Sequence, residues 1–274
     1  MKDFTEVKKI SFKGEDTYYS IKRNEELKKN FVVLYPPTSM NDSSMKPLEK
    51  MINETGHPTI LVNPKWHEYN SLDDFSEELV QIISKEGIEN PTVCGHSGGY
   101  MILADYVYKT KNADKIIGIC GSYKFSETAK NKFYFHLFDK VLRYGAYIGS
   151  LYGGIKHKRN KEKRGYPDQS KLQGKKDFPG VWLSIVDLPF NEISAHIKNG
   201  KKIIKWDISE KLDKIDKDMI LIYGKKDISV TARAGEYIKE HVKGNCIVKV
   251  IEGAHMLSIT RLEEVMEVLS EYLI

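Results

Sequence analysis

The chain has 274 residues, of which 41% are hydrophobic and 30% are charged, and its formal net charge is +5. This length and apolar content suit one folded domain with an insertion, and they argue against intrinsic disorder. No stretch approaches the roughly 20 apolar residues that a membrane helix requires. Residues 1–9 lack the apolar core of a signal peptide. We therefore expect an ordinary globular protein rather than a fibrous, disordered or membrane-spanning one.

The cysteines indicate the cellular compartment. Cys94, Cys120 and Cys246 all fall in or at the ends of predicted strands. An odd number of buried cysteines favours reduced thiols, and hence a cytoplasmic location. The chain has no Cys-x-x-Cys pair and no His/Cys cluster with the spacing of metal ligands. We therefore expect no structural metal.

The first part of the chain alternates between β-rich and helical segments. Two β-rich segments flank a turn at residues 13–16 and predict an antiparallel hairpin at the edge of a sheet. Ser71 and Asp74 form a capping-box pattern that opens an amphipathic helix. The predicted strands here span residues 6–12, 17–23, 31–35, 59–63 and 91–94, and the predicted helices span residues 45–55, 71–85 and 100–107.

The alternation continues near the end of the chain but fails in between. Residues 115–121, 218–224 and 246–251 predict further strands, and residues 260–272 predict an amphipathic helix. Between residues 124 and 217 the segments are aromatic and basic, without a clear strand. Strand–helix alternation predicts an α/β fold with a mostly parallel, doubly wound sheet and helices on both faces.

The most specific motif is Gly95-His96-Ser97-Gly98-Gly99, which lies between a predicted strand and a predicted helix. A strand, the pattern G-x-S-x-G and a helix together predict a sharp turn that presents the serine hydroxyl. Glycine tolerates the strained dihedrals and the close backbone contacts of such a turn. At the start of a helix, backbone N–H groups favour developing negative charge. His96, inside the motif, is expected to be structural.

A serine nucleophile needs a base and an orienting carboxylate, and both follow downstream. Asp227 comes just after the predicted strand 218–224, and His255 comes just after the strand 246–251. If these strands lie in one parallel sheet, Ser97, Asp227 and His255 meet at one edge. The order Ser, Asp, His is that of the α/β-hydrolase arrangement and not that of chymotrypsin or subtilisin.

On these motifs the chain resembles the α/β-hydrolase superfamily along nearly its whole length, in the serine-nucleophile, esterase- or lipase-like branch with a cap domain. The matching segments are residues 95–99, 222–227 and 253–255, with a softer match over 63–74. The resemblance implies an α/β-hydrolase core at residues 1–123 and 218–274. It also implies a helical, basic cap inserted at residues 124–217.

The oxyanion hole that this resemblance implies departs from the family pattern. The backbone N–H of Gly98 supplies one donor, and the loop after the first buried strand should supply the other. Pro36 and Pro37 in that loop have no N–H to donate. Thr38 is the first choice for the second donor and Ser39 the next, and the alternative is that this donor is absent.

The predicted cap is strongly basic, with 21 Lys and Arg against 11 Asp and Glu, so the predicted core is acidic. One interpretation is a solvated loop. Another is attraction of anionic or interfacial substrates, with peripheral contact to an anionic or lipid surface. Nucleic-acid binding is the least favoured, because no recognition fold accompanies the basic run.

We therefore expect a serine hydrolase that cleaves a small-molecule carboxylic ester or thioester through an acyl-enzyme, without a cofactor. Two other classes stay open. One is an acyltransferase with the same three residues. The other is a catalytically weak small-molecule-binding protein on the hydrolase scaffold, which the double proline slightly favours. The motifs indicate neither a particular substrate nor an oligomeric state.

Overall fold

A computed structural model describes residues 5–23, 30–38, 42–66, 69, 71–128, 203 and 205–273. The strands are β1 (Thr5–Phe12), β2 (Glu15–Lys22), β3 (Val32–Tyr35), β4 (Thr59–Asn63), β5 (Thr92–His96), β6 (Lys115–Ile119), β7 (Asp218–Gly224) and β8 (Cys246–Ile251). The α-helices are α1 (Lys46–Glu54), α2 (Leu72–Glu86), α3 (Gly98–Thr110), α4 (Phe125–Thr128), α5 (Ser209–Leu212), α6 (Arg233–His241), α7 (Leu257–Thr260) and α8 (Leu262–Leu273), with a 3₁₀ turn at Asp42–Ser44.

The described strands form one sheet in the order β1-β2-β4-β3-β5-β6-β7-β8. β1 and β2 form an antiparallel hairpin, and β2 pairs antiparallel with β4. Every other pair, from β4 through β3 to β8, is parallel. The prediction of a mostly parallel, doubly wound sheet with an N-terminal antiparallel hairpin is therefore confirmed.

Side chains alternate between the two faces of the sheet, as the two-residue period of a strand requires. In β7, Leu221 and Tyr223 lie in the core on one face, whereas Ile220 and Ile222 lie in the core on the other. Apolar side chains of α2, α3 and α6 fill the first core, and those of α1, α7 and α8 fill the second. Both faces are therefore covered by helices.

Both ends of α2 have the capping structures that the residues there favour. The Ser71 hydroxyl accepts from the N–H of Asp74 at 3.1 Å, and the Asp74 carboxylate accepts from the N–H of Ser71 at 3.0 Å. The predicted capping box is thus confirmed. Gly87 ends the helix with a φ of 62°, in the left-handed region that glycine adopts at little cost. In the described part of the chain, no helix combines the length and apolarity needed to cross a bilayer.

The chain that leads into β7 is anchored to the core. Trp206, Ile208 and Leu212 are buried in the same apolar cluster as α2 and α3. The fully buried Asp105 carboxylate of α3 accepts from the ammonium group of Lys211 on α5. Lys124 forms an isolated β-bridge with Asp207, and their side chains form an ion pair at 3.1 Å. The two ends of the segment 124–217, the predicted cap, therefore meet at the core.

A buried carboxyl group lies where α2 packs against the hairpin. Glu78 has no solvent exposure, and its Oε1 accepts hydrogen bonds from the hydroxyls of Thr17 and Tyr69. Its Oε2 has no hydrogen-bond partner among the described residues. Burial raises the pKa of Glu78 to about 7, although both hydroxyl bonds oppose the rise. The folded protein therefore binds this proton more tightly than the unfolded chain does.

This geometry predicts a pH-dependent stability with a definite sign. Because the folded pKa is raised, the contribution of Glu78 is complete below about pH 4.5 and is lost as pH rises through about 7. The side chain of the Glu78→Gln variant cannot ionise, so this loss does not occur. As pH rises from 5 to 9, the free energy of unfolding of the variant should therefore increase relative to that of wild type by roughly 1–3 kcal/mol. Urea unfolding across this range measures the difference.

Glu86→Gln serves as the matched control on the same helix. The Glu86 carboxyl is buried, which alone would raise its pKa, but hydrogen bonds from Tyr19 and Lys8 lower it overall. It stays ionised across the tested range, so the effect of its replacement should not change with pH. A constant difference between the Glu78→Gln variant and wild type would show that Glu78 does not titrate there.

Candidate active site

Ser97 occupies the turn between β5 and α3 in a conformation that residues other than glycine rarely adopt. Its φ is 54° and its ψ is −119°. Its N–H donates to the carbonyl of Ile119 at 2.8 Å, which ties the turn to the end of β6. Backbone strain of this kind costs about 1–3 kcal/mol and persists only where the surroundings impose it. The turn places the Ser97 hydroxyl at the carboxyl edge of the sheet.

The glycines of the motif are required by close backbone approach. A Cβ on Gly95 would lie 2.5 Å from the backbone nitrogen of Tyr100. A Cβ on Gly99 would lie 2.6 Å from the carbonyl oxygens of both Tyr35 and Pro36. Real Cβ atoms do not come this close to backbone atoms, so α3 can begin where it does only with glycine at both positions.

The other two predicted residues lie on neighbouring loops at the same edge. Asp227 follows β7, and its N–H donates to the carbonyl of Gly224 at 3.0 Å. His255 follows β8, two residues after Gly253, which has a φ of 131°. Because β5, β7 and β8 all point the same way, their carboxyl ends share this edge.

The three side chains form one hydrogen-bonded chain. His255 Nε2 lies 2.9 Å from Ser97 Oγ, and His255 Nδ1 lies 2.7 Å from Asp227 Oδ2. The carboxylate can only accept, so Nδ1 carries the proton and Nε2 is left to accept from the Ser97 hydroxyl. All three residues are buried, with exposures of 5% for Ser97, 4% for Asp227 and 8% for His255. The structure thus brings together the residues that the sequence spacing predicted.

The Asp227 carboxylate is held in its charged form. Burial alone would raise its pKa, but the charge and hydrogen bond of His255 lower it below its usual value. The backbone N–H groups of Ser229 and Val230 also donate to its other oxygen, at 2.7 and 3.0 Å. A carboxylate fixed in this way holds a neighbouring imidazole in one orientation and one tautomer.

Thr38 lies beside Gly98, the first residue of α3. A methyl group on Gly98 would overlap the Thr38 hydroxyl. That hydroxyl is buried and has no hydrogen-bond partner among the described residues. The N–H groups in the first turn of a helix have no intrahelical acceptor, so the Gly98 N–H is available as well. The pair predicted for the oxyanion hole is therefore adjacent. Ser39, the second choice, lies outside the described residues.

Cys120 contacts the site, although the sequence assigned it no role. Its buried thiol lies beside the Asp227 carboxylate. Ligand atoms of Cys120, Asp227 and His255 lie within 4.8 Å of one another, a spacing that could suit a metal. Burial, followed by the charge of Asp227, raises the pKa of the Cys120 thiol well above its usual value. The proton that His255 Nδ1 donates to Asp227 at 2.7 Å already lies between those two ligand atoms, so the three residues fit a hydrogen-bonded site better than a metal centre.

His96 also takes part, through contacts that the motif did not reveal. Its Nε2 lies 2.8 Å from the carbonyl oxygen of His255, and its Nδ1 lies 2.8 Å from the Ser258 hydroxyl. The two imidazole rings lie 5.5 Å apart between centroids. The only indication of this contact in the sequence is that both histidines lie near strand ends. The contact itself depends on the path of the loop after β8, which the sequence does not reveal.

The predicted cap falls mainly outside the described residues. Of residues 124–217, the structure describes residues 124–128, 203 and 205–217. The helical cap, and contact of its basic residues with an anionic or lipid surface, therefore stay predictions. The three cysteines are free and buried, as expected from their positions in strands.

Comparison with known proteins defines the fold. Neither a family model nor a curated protein matches the sequence. Similar solved structures include the enol-lactonase from Burkholderia xenovorans, with a TM-score of 0.71 and 12% identity over 97% of this chain and 99% of that one. A lipase-esterase related protein from Clostridium acetobutylicum gives 0.66 and 17%, over 97% and 98%. A membrane phospholipase A, described as a bacterial virulence factor, gives 0.70 and 13%, over 98% and 86%.

The chain has the α/β-hydrolase fold. The likeness spans nearly its whole length, and it confirms the fold expected from the sequence motifs. At these low identities the likeness concerns the fold alone, so any activity must be argued from the residues of this chain.

The packing around the turn predicts that Gly99 cannot be replaced without a large loss of stability. Gly99→Ala forces a methyl group into two backbone carbonyls and should lower the free energy of unfolding by about 2–3 kcal/mol or prevent folding. Gly87→Ala is the control, because its φ is also unfavourable for alanine but nothing lies within 4 Å. It should cost only about 1 kcal/mol. Equal losses in urea unfolding would contradict the close approach at Gly99.

Proposed function

We propose that this chain is a serine hydrolase that cleaves a carboxylic ester or thioester through an acyl-enzyme. The observation that carries the proposal is the continuous hydrogen-bonded chain from Ser97 through His255 to Asp227. A base within hydrogen-bond reach of a hydroxyl, itself oriented by a third group, is the arrangement that activates a serine nucleophile. The named neighbours, a lactonase, a lipase-esterase related protein and a phospholipase, support acyl chemistry of this kind.

In the first half of the reaction, Ser97 Oγ attacks the carbonyl carbon of the substrate as its proton passes to His255 Nε2. Asp227 accepts the hydrogen bond from Nδ1 and stabilises the imidazolium that forms. Collapse of the tetrahedral intermediate breaks the bond to the alcohol or thiol, which takes the proton from Nε2. The acyl group stays on Ser97.

The oxyanion is stabilised by Gly98 and Thr38. The N–H of Gly98 points from the start of α3, where the partial positive charge of the helix end favours an anion. Thr38 supplies the second donor through its backbone N–H or through its buried hydroxyl, which has no other partner among the described residues. A preformed donor pair needs no reorganisation as negative charge develops on the carbonyl oxygen.

In the second half, His255 Nε2 removes a proton from water, which attacks the acyl carbon and releases Ser97. No step requires a cofactor or a metal. The substrate that we propose is a small-molecule ester or thioester. The three buried thiols support a reducing, cytoplasmic setting.

Acyl transfer to an alcohol or thiol is the second candidate, because the same residues activate either acceptor. Product analysis with an added acceptor separates the two, since a transferase forms a new ester faster than free acid. A binding role without turnover is favoured only by Pro36 and Pro37, which cannot donate to an oxyanion.

The nucleophile is tested with a fluorophosphonate probe and p-nitrophenyl esters of several chain lengths. We expect the probe to label wild type at Ser97 and to leave the Ser97→Ala variant unlabelled. Asp227→Asn should keep labelling at a much reduced rate, with kcat lower by about 10⁴-fold, because the wrong imidazole tautomer then faces Ser97.

Ser76→Ala is the control, since Ser76 is also buried but bonds to Asp105, away from the site. It should label at the wild-type rate. Labelling of the Ser97→Ala variant, or a wild-type protein that no activated ester acylates, would rule out the proposed nucleophile.

The second oxyanion donor is tested at Thr38. Thr38→Val keeps the shape and the backbone N–H but removes the hydroxyl, and Thr38→Ser keeps both donors. If the hydroxyl stabilises the oxyanion, kcat should fall by about 10²-fold in the valine variant and by less than about 3-fold in the serine variant. A valine variant with unchanged kcat would leave only the backbone N–H as the Thr38 donor.

A further inference from the structure

Ser97 and His255 meet although their strands are far apart in the sheet. Ser97 follows β5 and His255 follows β8, with β6 and β7 between them. At about 4.8 Å per strand, this separation is roughly 14 Å. The loop after β8 must therefore reach back across two strands before the imidazole can approach the hydroxyl.

Among the described residues, the backbone hydrogen bonds that this loop makes to other loops go to the loop of Asp227. The N–H groups of Lys225 and Lys226 donate to the carbonyls of Ile251 and Gly253 at 2.9 and 2.8 Å. A Cβ on Gly224 would lie 2.5 Å from two carbonyl oxygens of the β8 loop, so the two loops are closely apposed. These contacts set His255 relative to Asp227, but they do not extend to the turn that holds Ser97.

The side chain of His96 spans that gap. The His255 carbonyl is only an acceptor, so the hydrogen bond at 2.8 Å requires His96 Nε2 to carry its proton. His96 Nδ1 is then unprotonated and accepts from the Ser258 hydroxyl, also at 2.8 Å. Both His96 and Ser258 are fully buried. The neighbours of the imidazole therefore determine its tautomer and its orientation.

The charge state of His96 agrees with this role. Burial, and then the proximity of His255, lower the pKa of His96 to about 3. His96 is therefore neutral at the pH values at which His255 would act as a base. A neutral imidazole can hold the carbonyl of His255 without placing a second positive charge beside the imidazolium that forms during catalysis.

We propose that His96 is a positioning residue: its imidazole, oriented by Ser258, donates to the carbonyl oxygen of His255 and holds that residue over the Ser97 hydroxyl. The proposal rests on the proposed function of Ser97 and His255. Because His96 precedes Ser97 in the chain, the same turn that presents the nucleophile also fixes the base. His96 touches no substrate, so it acts on the rate only through the placement of His255.

Two substitutions separate the link to His255 from the link to Ser258. His96→Gln places an amide N–H where Nε2 donates, so it should keep the bond to the His255 carbonyl. His96→Asn is too short to reach that carbonyl but can still accept from Ser258. We expect kcat to fall by about 10- to 10²-fold in the asparagine variant and by about 3- to 10-fold in the glutamine variant, which keeps the bond to His255 but loses the acceptor for Ser258. KM should change by less than about 3-fold in both, because ground-state binding does not involve His96.

A second measurement does not depend on turnover. The His255 Nδ1–H that donates to Asp227 should give a low-field proton NMR signal in wild type and in the glutamine variant. In the asparagine variant, this signal should broaden as the loop of His255 loosens. Ser258→Ala should lower kcat by about 3- to 10-fold and partly broaden the His255 signal. If the asparagine variant does not fold, Ser258→Ala provides the test of the positioning role.

His57→Asn is the matched control. His57 is also buried and bonds through Nδ1 to a backbone carbonyl, that of Asn30, at 3.1 Å, but it precedes β4 at the opposite edge of the sheet. Its replacement should lower thermal stability without changing kcat or the low-field signal. Unchanged kcat and signal in a folded His96→Asn variant, or in Ser258→Ala if the asparagine variant does not fold, would overturn the positioning role.

The outcomes also separate this inference from the proposed function. If the probe labels wild type, and the asparagine variant matches wild type in labelling rate, kcat and signal, the function stands and the positioning role fails. If the probe does not label wild type but the signal is lost in the asparagine variant, the positioning role holds and the hydrolase proposal fails.

Discussion

The backbone turn at Ser97 is the constraint on which the rest of the site depends. A non-glycine residue is held there at positive φ, and the cost is offset by the packing of helix α3 behind it, which is buried from Gly98 to Val107. The flanking glycines let this helix lie against the carbonyls of Tyr35 and Pro36. Because the turn is fixed by backbone contacts, the direction of the Ser97 hydroxyl does not depend on flexible side chains.

The loops after β7 and β8 are arranged around this fixed point. Backbone hydrogen bonds join the two loops to each other, and the His96 imidazole joins the second loop to the turn. The Asp227 carboxylate accepts from two backbone N–H groups and from His255, and the Cys120 thiol lies beside it. These donors favour the charged form of the carboxyl group.

Much of this could be predicted from the sequence, for physical reasons. Short apolar runs and turn residues locate the strands, and parallel strands bring their carboxyl ends to one edge, so the meeting of Asp227 and His255 could be predicted from position alone. The capping box of α2 is equally local. The hydrogen bonds of His96 and Ser258 could not be predicted, because they depend on how a loop crosses two strands. The raised pKa of Glu78 likewise depends on three elements that meet only after folding.

The pairing of Lys124 with Asp207 has a consequence for how this chain can vary. The polypeptide departs from the core after β6 and comes back to almost the same point before β7, where the two segments are bridged. The pairing of Lys124 with Asp207 closes the inserted segment where it leaves the core. The length of that segment therefore adds little loop-closure cost to the pairing of β6 with β7. Selection can therefore lengthen, shorten or exchange this insertion without shifting the register of β6 against β7. The geometry at the sheet edge and the length of the inserted segment are thus able to evolve separately.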